Sequence, residues 1–391
     1  MADQALQQLD GGLLQAHAPA GYCSRVPAPL PTVLREWGRI GVVGFGGPPA
    51  HIALLRELVV DRRRWMSSRE FEDANAACGL LPGPASTQLS IYTARRAGGP
   101  AGALLGGLAF IVPGLLMILA LAAAALGDAP PEWLLALGAG AGAAVAAVAV
   151  DAGLRLVRPH PSARTIAYIL LGAVAAALAG PWVVVVLLLC GVGELLLRRG
   201  DVAGAWPVVL AGSAALPALS WTALKVGALS YGGGFVIIPL MQADAVDHHG
   251  WMTDQEFLNA VAFGQLTPGP VVQTVAVVGY AAAGLGGALL ASAVAFGPSF
   301  AFILGGFRHF TRLRENADAR AFLDGAGPAS IGAILGAAVP LALALEEAWQ
   351  VAVLAAAAIA LLLLRRGVVP VLLGAGAAGV VAWLAGLPIP S

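Results

Sequence analysis

The sequence predicts an all-α polytopic membrane protein, an inverted-topology repeat with broken or re-entrant helical hairpins at its Gly-Gly and Pro-Gly-Pro motifs. Three observations carry this. Of 391 residues, 59% are hydrophobic and only 11% are charged, against roughly a quarter charged in soluble domains. Residues 41–84 recur without a gap as 227–270, an offset of 186, with seventeen of the 44 positions identical. Arginines that flank the first copy are missing from the second, as expected when two halves insert in opposite directions, because basic loops stay in the cytoplasm.

In chain order, residues 1–31 are expected to be a mobile cytoplasmic tail, since they lack the basic flank and continuous apolar stretch of a signal peptide. The first repeat, 32–199, opens with two interrupted segments. Arg35 and Arg39 precede Gly46-Gly47, Arg62, Arg63 and Arg64 follow it, and Arg95-Arg96 follow Pro82-Gly83-Pro84. If both segments crossed fully, one of these basic loops would lie outside; hairpins that enter and return on one side keep all of them inside. Hairpins are therefore preferred to kinked full spans. Apolar runs follow at 101–126, 132–157, 165–179 and 182–197, to be set against hydrocarbon about 30 Å thick. An acidic loop at 127–132 is placed outside, and Arg155, Arg158, Arg164, Arg198 and Arg199 inside.

Residues 200–221 contain the apolar run 205–221, read as a connecting transmembrane segment that carries the second repeat, 222–391, to the outside. There Arg62 to Arg64 align with His248, His249 and Gly250, and Arg95-Arg96 with Ala281-Ala282. Runs at 286–307, 322–345, 348–364 and 368–387 complete this half, with Arg308, Arg312, Arg314 and Arg320 inside, Glu346-Glu347 outside and Arg365-Arg366 inside. A parallel duplication with weak charge bias is the alternative.

Several function classes are disfavoured. With 22 basic and 22 acidic residues the chain has no basic surplus for nucleic acid. Cys23, Cys78 and Cys190 are widely spaced, and the histidines form no metal-binding pattern, only the adjacent pair His248-His249. No cofactor is expected, and a membrane-embedded enzyme is the weakest reading. Gly102 with Gly106 and Gly138 with Gly142 have the small-residue spacing of helix packing.

The chemistry lies in the breaks. Proline and glycine at Pro82-Gly83-Pro84 should stop one half-helix and start another. The first amides of the new half-helix, at Ala85 and Ser86, then face the break with the positive end of the helix dipole behind them. Ser86, Thr87 and Gln88 add side-chain donors, as do Gln273 and Thr274 after Pro268-Gly269-Pro270. Gly46-Gly47 and Gly232-Gly233 should make two more such ends. Four of them converging would form an anion site. Arg39 and Lys225 recur at the same offset, each seven residues before the Gly-Gly pair, as candidates for a fixed positive charge; interfacial anchoring is the competing role. Glu70 and Glu256, and Asp61 and Asp247, also recur, and suit helix capping or loop pairing better than proton relay. No buried carboxylate stands out.

Gly44-Phe45-Gly46-Gly47-Pro48, Trp65-Met66 and Pro82-Gly83-Pro84, with Tyr231-Gly232-Gly233-Gly234, Trp251-Met252 and Pro268-Gly269-Pro270, resemble the chromate ion transporter (CHR) family in its long two-domain form. The resemblance covers nearly the whole chain beyond the tail. It implies efflux of chromate across the bacterial inner membrane, with sulfate as a competitor because it is a tetrahedral dianion of similar shape. Coupling to the proton motive force is likewise implied by the resemblance alone. Arg39 stands where a lysine is usual in the family, and the second copy has Gly-Gly-Gly where the first has Gly-Gly-Pro, so the halves are expected to contribute unequally. Expected partners are the oxyanion and the lipid bilayer, with a homodimer as an assembly the sequence allows. Carriage of sulfate or molybdate, or an anion channel, is the alternative.

Overall fold

A computed structural model of the chain describes residues 27–81, 83–127, 129–157, 159–178, 183–199, 215–230, 237–306 and 316–390. The first half contains α1 (Leu30–Val43), α2 (Gly47–Arg56) continued by a π-helical stretch (Glu57–Arg62), α3 (Ser68–Leu80), α4 (Ala85–Ala125), α5 (Glu132–Ala143), α6 (Val145–Leu156), α7 (Ala163–Leu178) and α8 (Val183–Arg199). The second contains α9 (Ala215–Leu229), α10 (Ile237–Gln242) continued by π-helix (Ala243–His248), α11 (Asp254–Leu266), α12 (Thr274–Gly306) entered through a 3-10 turn (Val271–Gln273), α13 (Ala317–Leu343), α14 (Ala348–Ala358) and α15 (Val368–Leu384). Among the described residues there is no strand. The expected tail, to residue 26, and residues 200–214 of the connecting segment lie outside them; residues 215–221 begin α9 and run on without interruption past Lys225.

The repeat is structural. The π-helical stretches and α3 and α11 match residue for residue at the offset of 186. Both α3 and α11 start with a capping box, Ser67 with Glu70 and Thr253 with Glu256, so the recurring glutamates satisfy orphan helix amides, an effect of about 1 kcal/mol each. After Pro-Gly-Pro the second copy is one residue shorter and the offset becomes 185. Gly98 and Gly99 then share their dihedrals with Ala283 and Gly284, and Pro113 matches Pro298.

Two hairpins open the first half. At the open end of the first, Glu36 binds Arg62 and Arg63, and the ring of Trp37 stacks on Trp65 at 5.9 Å. The second runs down α3 and back along the start of α4, where Arg96 returns to Glu70 at 2.7 Å. Each arm is only about 20 Å long. At Gly98-Gly99 the helix α4 reverses: an added Cβ on Gly102 or Gly106 would strike Ala94, although Ala94 and Gly106 would lie about 18 Å apart in a straight helix. Residues 85–97 and 100–125 therefore lie side by side. Arg95, at the same open end, donates to the carbonyls of Ile303 and Leu304 near the end of α12, at 2.8 and 2.7 Å.

The halves interlock. Helix α4 packs on α12, α7 and α8 of the first half pack on α13 of the second, and α15 packs on α5. Among the described residues, four helices are long and apolar enough to cross a membrane: Ala85–Ala125, Glu132–Leu156, Val271–Gly306 and Ala317–Leu343. Within each half the first helix closes tightly on the long one. Gly41 lies under the carbonyls of Ala109 and Phe110, and its counterpart Gly227 under that of Ala295, where any side chain would collide with backbone.

Candidate functional site: the junction of helix breaks

Three of the four expected breaks lie within the described residues, and they meet. Gly46 (φ 99°) and Gly47 (φ 72°) hold left-handed backbone that only glycine adopts without strain, and they start α2 with no side-chain cap. The carbonyl of Gly44, just before them, accepts from the backbone amide of Gly269 in the second Pro-Gly-Pro, at 3.1 Å. That one bond joins the first break to the fourth. A Cβ on Gly47 would lie 3.9 Å from Val271, the first residue of the 3-10 turn. The same Gly44 carbonyl accepts from Nε2 of His51 at 2.8 Å, and Nδ1 of that ring lies 3.4 Å from the hydroxyl of Ser86 on the first turn of α4. His51 thus ties the first break to the second.

The second break reaches the other half. Gly83 (φ 115°) and Pro84 are buried, and a Cβ on Gly83 would meet Gln88 at 2.7 Å, the carbonyl of Gly227 at 3.1 Å and the hydroxyl of Ser299 at 3.2 Å. Gln273 lies in the same way beside Gly269 (φ 108°), and its amide donates to the carbonyl of Ile111 at 2.7 Å. Gln88 is therefore the counterpart of Gln273, not of Thr274 as an unbroken 186 offset would have it. Thr274 is turned inward, donating to the carbonyl of Val271 at 2.9 Å. Pro268 and Pro270 are buried, and the carbonyl of Pro268 lies against Gly114 of α4.

Helices α2 and α4 and the 3-10 turn leading into α12 begin at this junction without a side-chain cap, so their positive dipole ends meet there, with first-turn amides offered by α4 rather than by α2, whose Pro48 and Pro49 carry no N–H. The buried hydroxyls of Thr87, Ser230 and Ser299 also lack a partner among the described residues. Such donors suit an oxyanion. Pro82, Gly232 and Gly233 lie outside the described residues.

The two candidate cations sit apart from these contacts. Arg39 is exposed on the side of α1 facing away from Trp37 and Ile40. Lys225 is paired: its Nζ lies 2.5 Å from Asp244 on the π-helical arm, Thr222 donates to the same carboxylate at 2.7 Å, and the Trp221 ring lies 5.9 Å away. Asp244 is buried, as are Glu36, Asp151 and Glu194, each bound by an arginine. This corrects the expectation that no buried carboxylate stands out. Those acids were obscured by sequence position: Asp244 aligns with Leu58 and Glu36 with Thr222, so a search for residues shared by both copies passes over them. His51 was missed for the same reason, its counterpart being Ile237.

The chromate transporter family model matches residues 32–195 and 217–380, one match per repeat. The chain belongs to the chromate transporter family. It is 32% identical to the chromate transport protein of Cupriavidus metallidurans over 88% of this chain and 91% of that protein. It is also 32% identical to the chromate transport protein of Pseudomonas aeruginosa, over 81% and 82%. With a probable chromate transport protein of Synechococcus elongatus it shares 29% over 78% and 82%. No solved structure matches the chain.

Proposed function

We propose that this chain is a secondary transporter that exports chromate across the bacterial inner membrane by alternating access, coupled to the proton motive force. The substrate class follows from the relatives, whose names specify chromate transport. The observation that carries the site is the hydrogen bond from Gly269 to Gly44, which brings helix starts from both halves to one point. A tetrahedral dianion leaving water needs several donors at once, since burying unpaired charge is prohibitively costly. The junction supplies them from backbone ends and from Ser86, Thr87 and Gln88, with Gln273 and Thr274 forming the second half's wall. Arg39 and Lys225 are proposed to add fixed charge, Asp244 setting how much of the lysine's charge is available.

Opposite insertion of the two halves is supported by the arginine distribution and by the contact of Arg95. That contact sets the open end of the first half's hairpins against residues 303 and 304, about 30 Å along α12 from the reversal at Ala283-Gly284, which is the open end of the second half's. The closed arms, each too short to cross, support re-entrant hairpins in preference to kinked spans. Repeats at 32–199 and 222–391, joined by 200–221, and a homodimeric assembly complete the proposal.

Chromate uptake into inverted vesicles, with sulfate and molybdate as competitors, tests it. Saturable chromate uptake that collapses with an uncoupler is expected. Uptake of sulfate or molybdate with chromate excluded would move the substrate to another oxyanion, and flux that neither saturates nor responds to the uncoupler would indicate a channel.

A further inference from the structure

His51 is a titratable side chain built into the junction, and its contact with Gly44 fixes which ring nitrogen carries a hydrogen in the neutral form. The Gly44 carbonyl can only accept, so Nε2, at 2.8 Å, carries a hydrogen, and in the neutral ring Nδ1 then presents its lone pair to Ser86 Oγ at 3.4 Å. The ring is fully buried, with Phe110 edge-on at 5.0 Å between centroids. No charged residue occurs in 100–125 of α4 or in 271–306. On the other elements, Glu36 is bound by Arg62 and Arg63, Arg56 by Glu72, Arg96 by Glu70, and Arg95 by the end of α12. Arg35 and Arg39 are exposed on α1. The second half has Ile237 at the equivalent position, so the junction has one such histidine per chain.

We propose that His51 binds a proton on Nδ1 when the oxyanion docks and releases it when the anion leaves, so that one proton accompanies each dianion. This rests on the oxyanion reading of the junction. The step is a proton transfer from the medium: an N–H bond forms at the Nδ1 lone pair as an O–H bond of hydronium breaks to leave water, or one of water breaks to leave hydroxide in the medium, and the Ser86 hydroxyl, no longer needed as donor to that nitrogen, turns to the anion. The imidazolium then offers a hydrogen on each side, to Gly44 and toward Ser86 and the anion, and halves the charge the site must compensate. A complex of one dianion and one proton carries a single negative charge outward, which an inside-negative membrane potential drives.

Proton uptake on binding is the decisive measurement. Purified full-length chain in lipid nanodiscs, weakly buffered at an alkaline pH where chromate is wholly the dianion, is mixed with chromate in the presence of a pH indicator, with sulfate as a probe that does not titrate. The wild type is expected to take up about one proton per anion bound, and its affinity for either anion to fall about tenfold per pH unit above the histidine's titration. His51→Gln retains a donor for Gly44 and should bind more weakly, with no proton uptake and no pH dependence. A second variant with His17, His160, His248, His249 and His309 all replaced by Gln leaves His51 as the sole histidine and should behave as wild type. Anion binding by the wild type without proton uptake overturns the proposal, as does loss of uptake in the second variant or its persistence in His51→Gln. No binding of either anion by the wild type at any pH would overturn the oxyanion reading itself.

Discussion

Adding a single methyl group at Gly83 separates a working junction from a mere kink. The dihedral φ of 115° is strained for any residue with a side chain, at about 1–3 kcal/mol. The methyl of Gly83→Ala would also lie 2.7 Å from the end of Gln88, 3.1 Å from the Gly227 carbonyl and 3.2 Å from the Ser299 hydroxyl. Gln88 can rotate away, but the carbonyl belongs to α9 and Ser299 follows Pro298 in α12, so those neighbours must shift by a few tenths of an ångström. Gly99 provides the control: it has φ 68° and no atom within 4 Å of an added Cβ. Both substitutions should lower thermal stability by a similar dihedral cost. Only Gly83→Ala should reduce chromate uptake per inserted molecule, by about tenfold or more, equivalent to some 1.4 kcal/mol at the site. The assay is uptake into inverted vesicles normalised to the transporter present, with melting followed by size-exclusion fluorescence. Equal uptake by the two variants would refute the placement of the site at the breaks.

Gly83→Leu or Gly269→Leu should abolish transport while the chain still inserts, measured as uptake against membrane-fraction abundance. Single cysteines at positions 63 and 249, in a background free of other cysteines, should be labelled by an impermeant reagent from opposite faces; labelling from one face would end the inverted-repeat proposal. Lys225→Gln should cost about 3–5 kcal/mol because it strands the buried Asp244 carboxylate. The double variant with Asp244→Asn should regain that stability but not wild-type chromate affinity, a split readable by melting and binding on the same samples. Arg39→Gln should leave melting within about 0.5 kcal/mol, as suits an exposed residue, while weakening chromate uptake more than Arg39→Lys does; unchanged uptake would make Arg39 an interfacial anchor.

The sequence by itself determined the helical class, the two copies and the places where their helices stop. These are local properties: apolar composition, the dihedral demands of Gly46, Gly47, Gly83 and Gly269, and the capping of α3 and α11 by Glu70 and Glu256 all act within a few residues. What only the tertiary structure decided is which ends meet. The bond from Gly269 to Gly44, the link of His51 to Ser86 and the contact of Gly83 with Gly227 and Ser299 cross between segments or halves, and no pattern along the chain encodes such distances. Comparison of the copies favours residues common to both. The groups that distinguish the halves, His51 in one and the Lys225–Asp244 pair in the other, escape it. Their partners are supplied by packing, because in a buried setting a polar side chain is held by whatever donor or acceptor the fold brings within about 3 Å.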